Sequence, residues 1–197
     1  MAQATTLNVL GIAGSLRQAS FNRMALRAAQ KLAPPGITIN EFPVERLREI
    51  PPYDDDVRVQ AFPPPAAKLR DRIRAADGLL IVTPEYNYSF PGVLKNAIDW
   101  ASRPPEQPFA DKPIALMSAS GGVLGGARAQ YQLRQCFVFL DAKLLNRLEV
   151  FIGQAPQKFV ADGTLADEST AAIVREMLTA FEAWIRRLRA GAVPQPS

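Results

Sequence analysis

The sequence contains no histidine. That absence removes the Ser-His-Asp and Cys-His nucleophilic arrangements. It also removes His-ligated zinc and the two-His iron site, so no metal centre is expected. A single cysteine, Cys136, excludes an internal disulfide and fits a reducing, cytoplasmic compartment. Cys136 itself is expected to be a small buried hydrophobe. No stretch approaches the ~18–20 consecutive apolar residues of a membrane span, and no membrane association is expected. Met1–Thr6 lacks the positive segment of a secretory signal. Charge of one sign is scarce as well: 23 basic against 19 acidic residues leave only +4, and the basic residues are scattered. No nucleic-acid stripe is expected from that pattern, whereas an anionic small molecule suits it. Any chemistry must come from carboxylates, tyrosines, arginines or a cofactor.

What is present is an alternation of apolar runs and helical patterns. Leu7–Ala13 reads as a buried strand and Phe21–Leu32 as a helix capped by Ser20 and stopped by Pro34-Pro35-Gly36. Ile37–Phe42 alternates as a second strand would. Residues 51–65 hold five of the seventeen prolines and read as a long excursion. A helix over Ala66–Ala76, a strand ending at Val82, a helix over Val93–Ala101 and a strand over Pro113–Ala119 follow. A helix over Ala127–Leu140, a fifth strand over Lys143–Val150, an irregular 151–162 and a last amphipathic helix over Asp167–Arg189 complete the chain. The order implies an α/β fold, a flavodoxin-like five-stranded parallel sheet of order 2-1-3-4-5 with helices on both faces. One domain of 197 residues is expected, with residues 1–6 and 190–197 as flexible tails.

In such a sheet the loops after strands 1, 3 and 4 emerge on one edge, where ligands bind. The first offers Ser15, Arg17, Ser20 and Asn22 at the start of a helix, a phosphate site by virtue of free N–H groups and the helix dipole. It is neither a dinucleotide fingerprint nor a P-loop, since no Gly-Lys-Ser/Thr follows. The second, Thr83-Pro84-Glu85-Tyr86-Asn87-Tyr88-Ser89-Phe90-Pro91-Gly92, combines aromatic surface with hydrogen-bonding side chains between stiff prolines. The third, Ser120-Gly121-Gly122-Val123-Leu124-Gly125-Gly126, lets a backbone come close to a flat ring. A phosphate, a linker and a flat polar-edged ring describe FMN, which would supply the redox chemistry that this side-chain set lacks.

Gly14-Ser15-Leu16-Arg17-x-x-Ser20-Phe21-Asn22 and Thr83–Trp100, with Pro91-Gly92-Val93-Leu94-Lys95-Asn96-Ala97-Ile98-Asp99-Trp100 as its second half, resemble the NAD(P)H-dependent FMN reductase family. The likeness is strongest to its chromate and quinone reductases and runs from about Leu7 to Val150. Ser118-Ala119-Ser120-Gly121-Gly122 resembles the family's third flavin loop. The resemblance implies non-covalent FMN, with Ser15, Arg17, Ser20 and Asn22 on the phosphate. It puts Pro84, Glu85, Tyr86 and Asn87 on the ring and its linker, and Ser120, Gly121 and Gly122 on the ring's other side. It also implies a homodimer or homotetramer, with the helices at 93–101 and near Arg128 at the contacts.

The reaction implied is ping-pong. NADPH or NADH reduces bound FMN, the nicotinamide leaves, and a small-molecule electron acceptor follows: quinone, azo compound, chromate or flavin. No catalytic side chain is expected, because FMN carries the chemistry. Backbone N–H groups of the third loop would stabilise developing negative charge. Arg17 or Arg103 would meet the extra phosphate of NADPH. The alternative is a flavodoxin-like electron carrier that binds FMN without reacting directly with NAD(P)H. A low-molecular-weight phosphatase is excluded by the absence of Cys-x5-Arg, since Ala142 stands six positions after Cys136. A receiver is excluded by Thr83-Pro84 where its aspartate would stand.

Overall fold

The computed structural model describes residues 5–105 and 107–191. The apolar runs form parallel strands β1 (Leu7–Ala13), β2 (Ile37–Glu41), β3 (Gly78–Thr83) and β4 (Pro113–Ala119), followed by short β5 (Lys143–Leu144) and β6 (Val150–Ile152). They join in the order β2-β1-β3-β4-β5, with β6 also on β4, which is the flavodoxin-like order expected. Seven helices accompany them among the described residues: α1 (Phe21–Leu32), α2 (Val44–Arg48), α3 (Asp55–Gln60), α4 (Pro64–Ala75), α5 (Gly92–Ala101), α6 (Ala127–Phe139) and α7 (Glu168–Gly191).

Every residue of β3 and β4 is buried. Central strands of a parallel sheet covered on both faces read this way, as continuous apolar runs. Alternate side chains serve two layers. Leu10, Leu79, Ile81, Ile114 and Leu116 pack with Leu69, Ile73, Leu94, Ile98, Leu133 and Phe137 of α4, α5 and α6. Val9, Leu80, Val82 and Met117 pack with Leu26 of α1 and with Val174, Leu178 and Phe181 of α7.

The fifth strand departs from expectation. Lys143–Val150 is not continuous: Pro113 faces Lys143 while Met117 faces Val150, so the edge chain uses seven residues where β4 uses four. The surplus bulges outward because Asn146, Arg147 and Glu149 do not suit a buried strand. Arg134 donates to Asn146 and Tyr131 to Glu149, both from α6. The sheet is therefore six-stranded, with its far edge divided.

The 51–65 excursion contains α3, capped by the Asp54 carboxylate, which accepts from the Asp56 N–H at 2.9 Å. It is fastened to α5 by two side chains. Asn96 accepts from the Tyr53 N–H and donates to the Pro51 carbonyl, and Trp100 Nε1 donates to the same carbonyl at 2.8 Å. Cys136 is half-buried on α6 rather than enclosed, because Leu133 and Phe137 take the sheet-facing positions of its turn. α7 carries on through Ala190 and Gly191, two residues past the expected helix end. Of the remaining expected tail positions, Thr5 and Thr6 are exposed residues leading into β1, and 1–4 and 192–197 lie outside the described residues.

Candidate functional site

Loops after β1, β3 and β4 meet at the carboxyl edge of the sheet and enclose an open cleft of about 320 Å³. Its walls include Ser15, Arg17 and Ser20 from the first loop, Pro84, Glu85 and Tyr86 from the second, and Ser120 and Gly121 from the third. Asn22 also borders it. An adjoining cavity of about 280 Å³ shares Glu85 and Ser120 and adds Gly122, Leu124 and Arg128. Ten of the eleven residues assigned to the cofactor from sequence thus converge.

The first loop is built around the start of α1. Ser20 Oγ caps the helix by accepting from the Asn22 N–H at 3.2 Å. Ser15 Oγ lies 3.4 Å from the Tyr86 hydroxyl and accepts from the Arg17 N–H at the same distance. The Arg17 guanidinium is exposed and sits 5.6 Å from the Phe21 ring centroid. Helix N-terminus, two hydroxyls and an exposed guanidinium together are suited to an anion. Asn22 acts differently. Its amide donates to the Ala119 carbonyl and accepts from the Ala119 N–H, both at 2.9 Å and buried. The side chain is a clamp between α1 and the end of β4.

The second loop is a two-residue hairpin. Tyr86 and Ser89 exchange backbone hydrogen bonds, and Asn87 (φ 51°) and Tyr88 (φ 66°) both occupy the left-handed region. Two positive φ values define a type I′ turn, in which asparagine is favoured. Asn87 is exposed at the tip and lines neither cavity, so it stands apart from the other ten. The tip is held by α6: Gln132 donates to the Tyr88 carbonyl, and the Arg128 guanidinium stacks 3.7 Å from the Tyr88 ring centroid. Arg128 also pairs with Glu85. That bond holds the guanidinium above its ordinary range, Glu85 being the first cause. The Glu85 side chain is only 8% exposed, and its Oε2 has no partner among the described residues.

In the third loop the glycines divide into two kinds. A Cβ on Gly125 (φ +58°) would come within 2.7 Å of Gly153 N, and one on Gly126 (φ +87°) within 2.8 Å of Ser118 Cβ. Those two are demanded by the backbone. Gly121 has nothing within 4 Å of such a Cβ, and Gly122 only Ser120 Oγ at 3.8 Å, so their backbone is bare to the cleft. Their N–H groups donate to no other group among the described residues. The chain after β6 braces this loop: Ser120 N–H donates to Ile152, Gln154 N–H to Gly122, and Ala155 N–H to Ser120. Buried Gln130 adds bonds of 2.9 Å to Ser118 Oγ and the Val150 carbonyl.

Arg103 is not brought to the cleft. α5 runs back from the carboxyl edge, and Arg103 follows its far end, donating to the Asp99 carbonyl and Ser102 Oγ and stacking on Tyr53. Phe21, Arg128 and Gln130 escaped sequence reasoning. Arg128 carried one available signal, its position in the first turn of a helix that opens from a ligand-edge loop.

The cleft can therefore take a ligand with an anionic group at α1 and a flat, polar-edged portion near the bare glycines. FMN has that form. The N–H groups of Gly121 and Gly122, without a partner among the described residues, suit the acceptors on its edge.

The family model described as NADPH-dependent FMN reductase matches residues 7–157. Over 183 residues the chain is 52% identical to a Pseudomonas aeruginosa protein named NAD(P)H-dependent FMN reductase, covering 93% of this chain and 97% of that one. Over 186 residues it is 47% identical to the quinone reductase of Escherichia coli, with the same coverages of 93% and 97%. The solved structure of FerB, a flavoenzyme NAD(P)H:(acceptor) oxidoreductase from Paracoccus denitrificans, superposes with a TM-score of 0.83 at 36% identity, covering 92% and 98% of the two chains.

Proposed function

The chain belongs to the NADPH-dependent FMN reductase family, and from that premise we propose that it is an NAD(P)H-dependent quinone reductase whose cofactor occupies the three-loop cleft. The observation that carries this reading is the convergence of an anion site at α1 with the bare backbone of Gly121 and Gly122. FMN bound here would supply two-electron chemistry, accepting hydride from NADPH or NADH and passing electrons to the acceptor.

The chain's own groups bind, orient and polarise. Ser15, Arg17, Ser20 and the first N–H groups of α1 hold the phosphate. Pro84, Glu85 and Tyr86 form one wall, and the Glu85 carboxylate, paired with Arg128, ties that wall to α6. Ser120, Gly121 and Gly122 form the opposite wall, and the N–H groups of Gly121 and Gly122 would stabilise negative charge that develops beside them. Asn22 fixes α1, with its phosphate-holding groups, against the end of β4 from which the Ser120–Gly122 wall continues. Asn87 shapes the hairpin that carries Tyr86.

Quinones are the acceptor class favoured by the name of the Escherichia coli relative; chromate, azo compounds and free flavin are further acceptors that an exposed cleft would admit. We place subunit contacts of a homodimer or homotetramer on α5 and α6, where Val138 and Phe139 are 74% and 86% exposed. Each subunit would be a single cytoplasmic domain. No helix among the described residues is long and apolar enough to cross a membrane.

The test is an anaerobic absorbance trace of FMN-loaded protein mixed with NADPH and, separately, with NADH. Rapid bleaching of the flavin is expected, and the two rates give the nicotinamide preference. Bound flavin that does not bleach would move the protein to the electron-carrier class. Failure to bind FMN would overturn the assignment of the cleft.

A further inference from the structure

A second cavity, of about 200 Å³, lies between α1, α7 and the turn closed by the Phe159–Leu165 bridge. It shares no residue with the cofactor cleft, and nothing in the reaction uses it. Its floor is apolar: Ala28 and Ala171 are buried, and Leu32 and Leu165 partly so. Its rim is charged, and the charges are unequally engaged. Arg175 pairs with Glu168 at 2.6 Å. Asp162 Oδ1 accepts from the Thr164 N–H at 2.8 Å. Arg27 and Lys31, four residues apart on one face of α1, form no ion pair and no hydrogen bond among the described residues. The rim thus presents two cations that make no hydrogen bond or ion pair among the described residues, with Lys31 in electrostatic reach of Asp162 and Arg27 of Glu41, over an apolar floor.

We propose that this cavity binds a small monoanion with an apolar body, an arene or short-chain carboxylate, its carboxylate between Arg27 and Lys31 and its body against Leu32 and Leu165. Both acids of the rim are ionised at neutral pH: the Thr164 N–H holds the Asp162 carboxyl below its ordinary range, and Arg175 does the same for Glu168. The apolar floor gives a bare, hydrated oxyanion such as inorganic phosphate nothing to bury, whereas an aryl ring or alkyl chain gains by leaving water. The volume exceeds what a bare oxyanion fills and falls short of a nucleotide.

The test uses the full chain with FMN in excess, so that the cofactor cleft is filled, and follows backbone amide shifts by NMR. Benzoate is the probe, with benzamide as its neutral isostere and inorganic phosphate as the bare anion. Saturable shifts confined to residues 27–32 and 162–165 are expected, with Kd on the order of 1–10 mM. Benzamide and phosphate should bind at least about tenfold more weakly. Arg27→Gln combined with Lys31→Gln should weaken benzoate by a similar factor. If that double variant does not fold, the wild type gives the same information through salt, because binding should fall as NaCl rises through several hundred millimolar. Equal affinity for benzamide, insensitivity to salt, tighter binding of phosphate, or absence of saturation at these amides would each overturn the proposal.

Discussion

Asn22 offers the sharpest test of how the cleft is held together. Its side chain makes two buried hydrogen bonds of 2.9 Å to the N–H and carbonyl of Ala119. The residue is 2% exposed, so water cannot replace the bonds. Asn22→Ala removes both and strands two backbone groups in the interior. Each bond contributes about 0.5–1.5 kcal/mol net, and each stranded group costs about 1–3 kcal/mol. These ranges overlap in what they count, so the expected loss is about 2–4 kcal/mol. With a urea m-value of about 2 kcal/mol/M for a small protein, the midpoint should fall by about 1–2 M. The assay is urea unfolding of FMN-free protein by circular dichroism. FMN affinity, measured separately by fluorescence quenching, should fall as well, because Ser20 and Ser120 stand on the two elements that the clamp joins. Asn22→Asp refines the test. It keeps the acceptor for the Ala119 N–H but sets a carboxylate against the Ala119 carbonyl. Burial raises that carboxyl's folded pKa, so the penalty is largest at high pH and is relieved as pH falls through the folded pKa. An Asn22→Ala protein of unchanged stability that nevertheless binds FMN weakly would refute the clamp and make Asn22 a direct phosphate ligand.

The other predictions concern charge. Arg128→Ala should free the hairpin tip, seen as faster hydrogen exchange at the bonded amides of Tyr86 and Ser89, while α6 keeps its protection; unchanged exchange would mean that Gln132 alone suffices. Arg103→Ala should leave the NADPH-to-NADH rate ratio unchanged, since its guanidinium is bound to Asp99 and Ser102 at the far end of α5; a shifted ratio would return it to the site. Asp167 caps α7, and its hydrogen bonds from Thr170 and Ser169 lower its pKa to about 2. A depressed folded pKa gives stability that is complete above the unfolded value near 4 and is lost as pH falls through about 2. Wild-type protein should therefore lose stability over that window more steeply than Asp167→Asn, as read from melting temperatures between pH 5 and pH 2.

The central sheet was legible because its strands are buried on both faces and so appear as apolar runs with little to contradict them. The same logic fails at the far edge. Lys143–Val150 has apolar residues enough for a strand, but its polar residues must reach α6, and the chain loops out to let them do so. α2 and α3 were invisible for another reason: they are five and six residues long, too short for a helical period to declare itself. The Pro-rich excursion looked structureless because its order comes from Asn96 and Trp100, which lie over forty residues away in sequence.

Those two residues also show how a motif can be recognised correctly and still be misread in part. The stretch Thr83–Trp100 identifies the family, yet its contents divide by task. Pro84, Glu85 and Tyr86 reach the cleft, Asn87 turns the hairpin, and Asn96 and Trp100 fasten a remote loop. Side-chain chemistry alone does not make this division, because an asparagine that donates to a ligand and one that clamps a backbone look the same in a sequence. Asn22 is the same case in the first loop. What separates them is the fate of the amide: Asn22 and Asn96 meet backbone groups of other elements, whereas the Arg17 guanidinium and the N–H groups of Gly121 and Gly122 border the cavities with no hydrogen-bond partner among the described residues. Affinity for the cofactor should therefore depend directly on that small open set and only through wall spacing on the clamps. Substitutions in the first group should weaken FMN while leaving the unfolding midpoint of the FMN-free protein in place, and substitutions in the second should move both together.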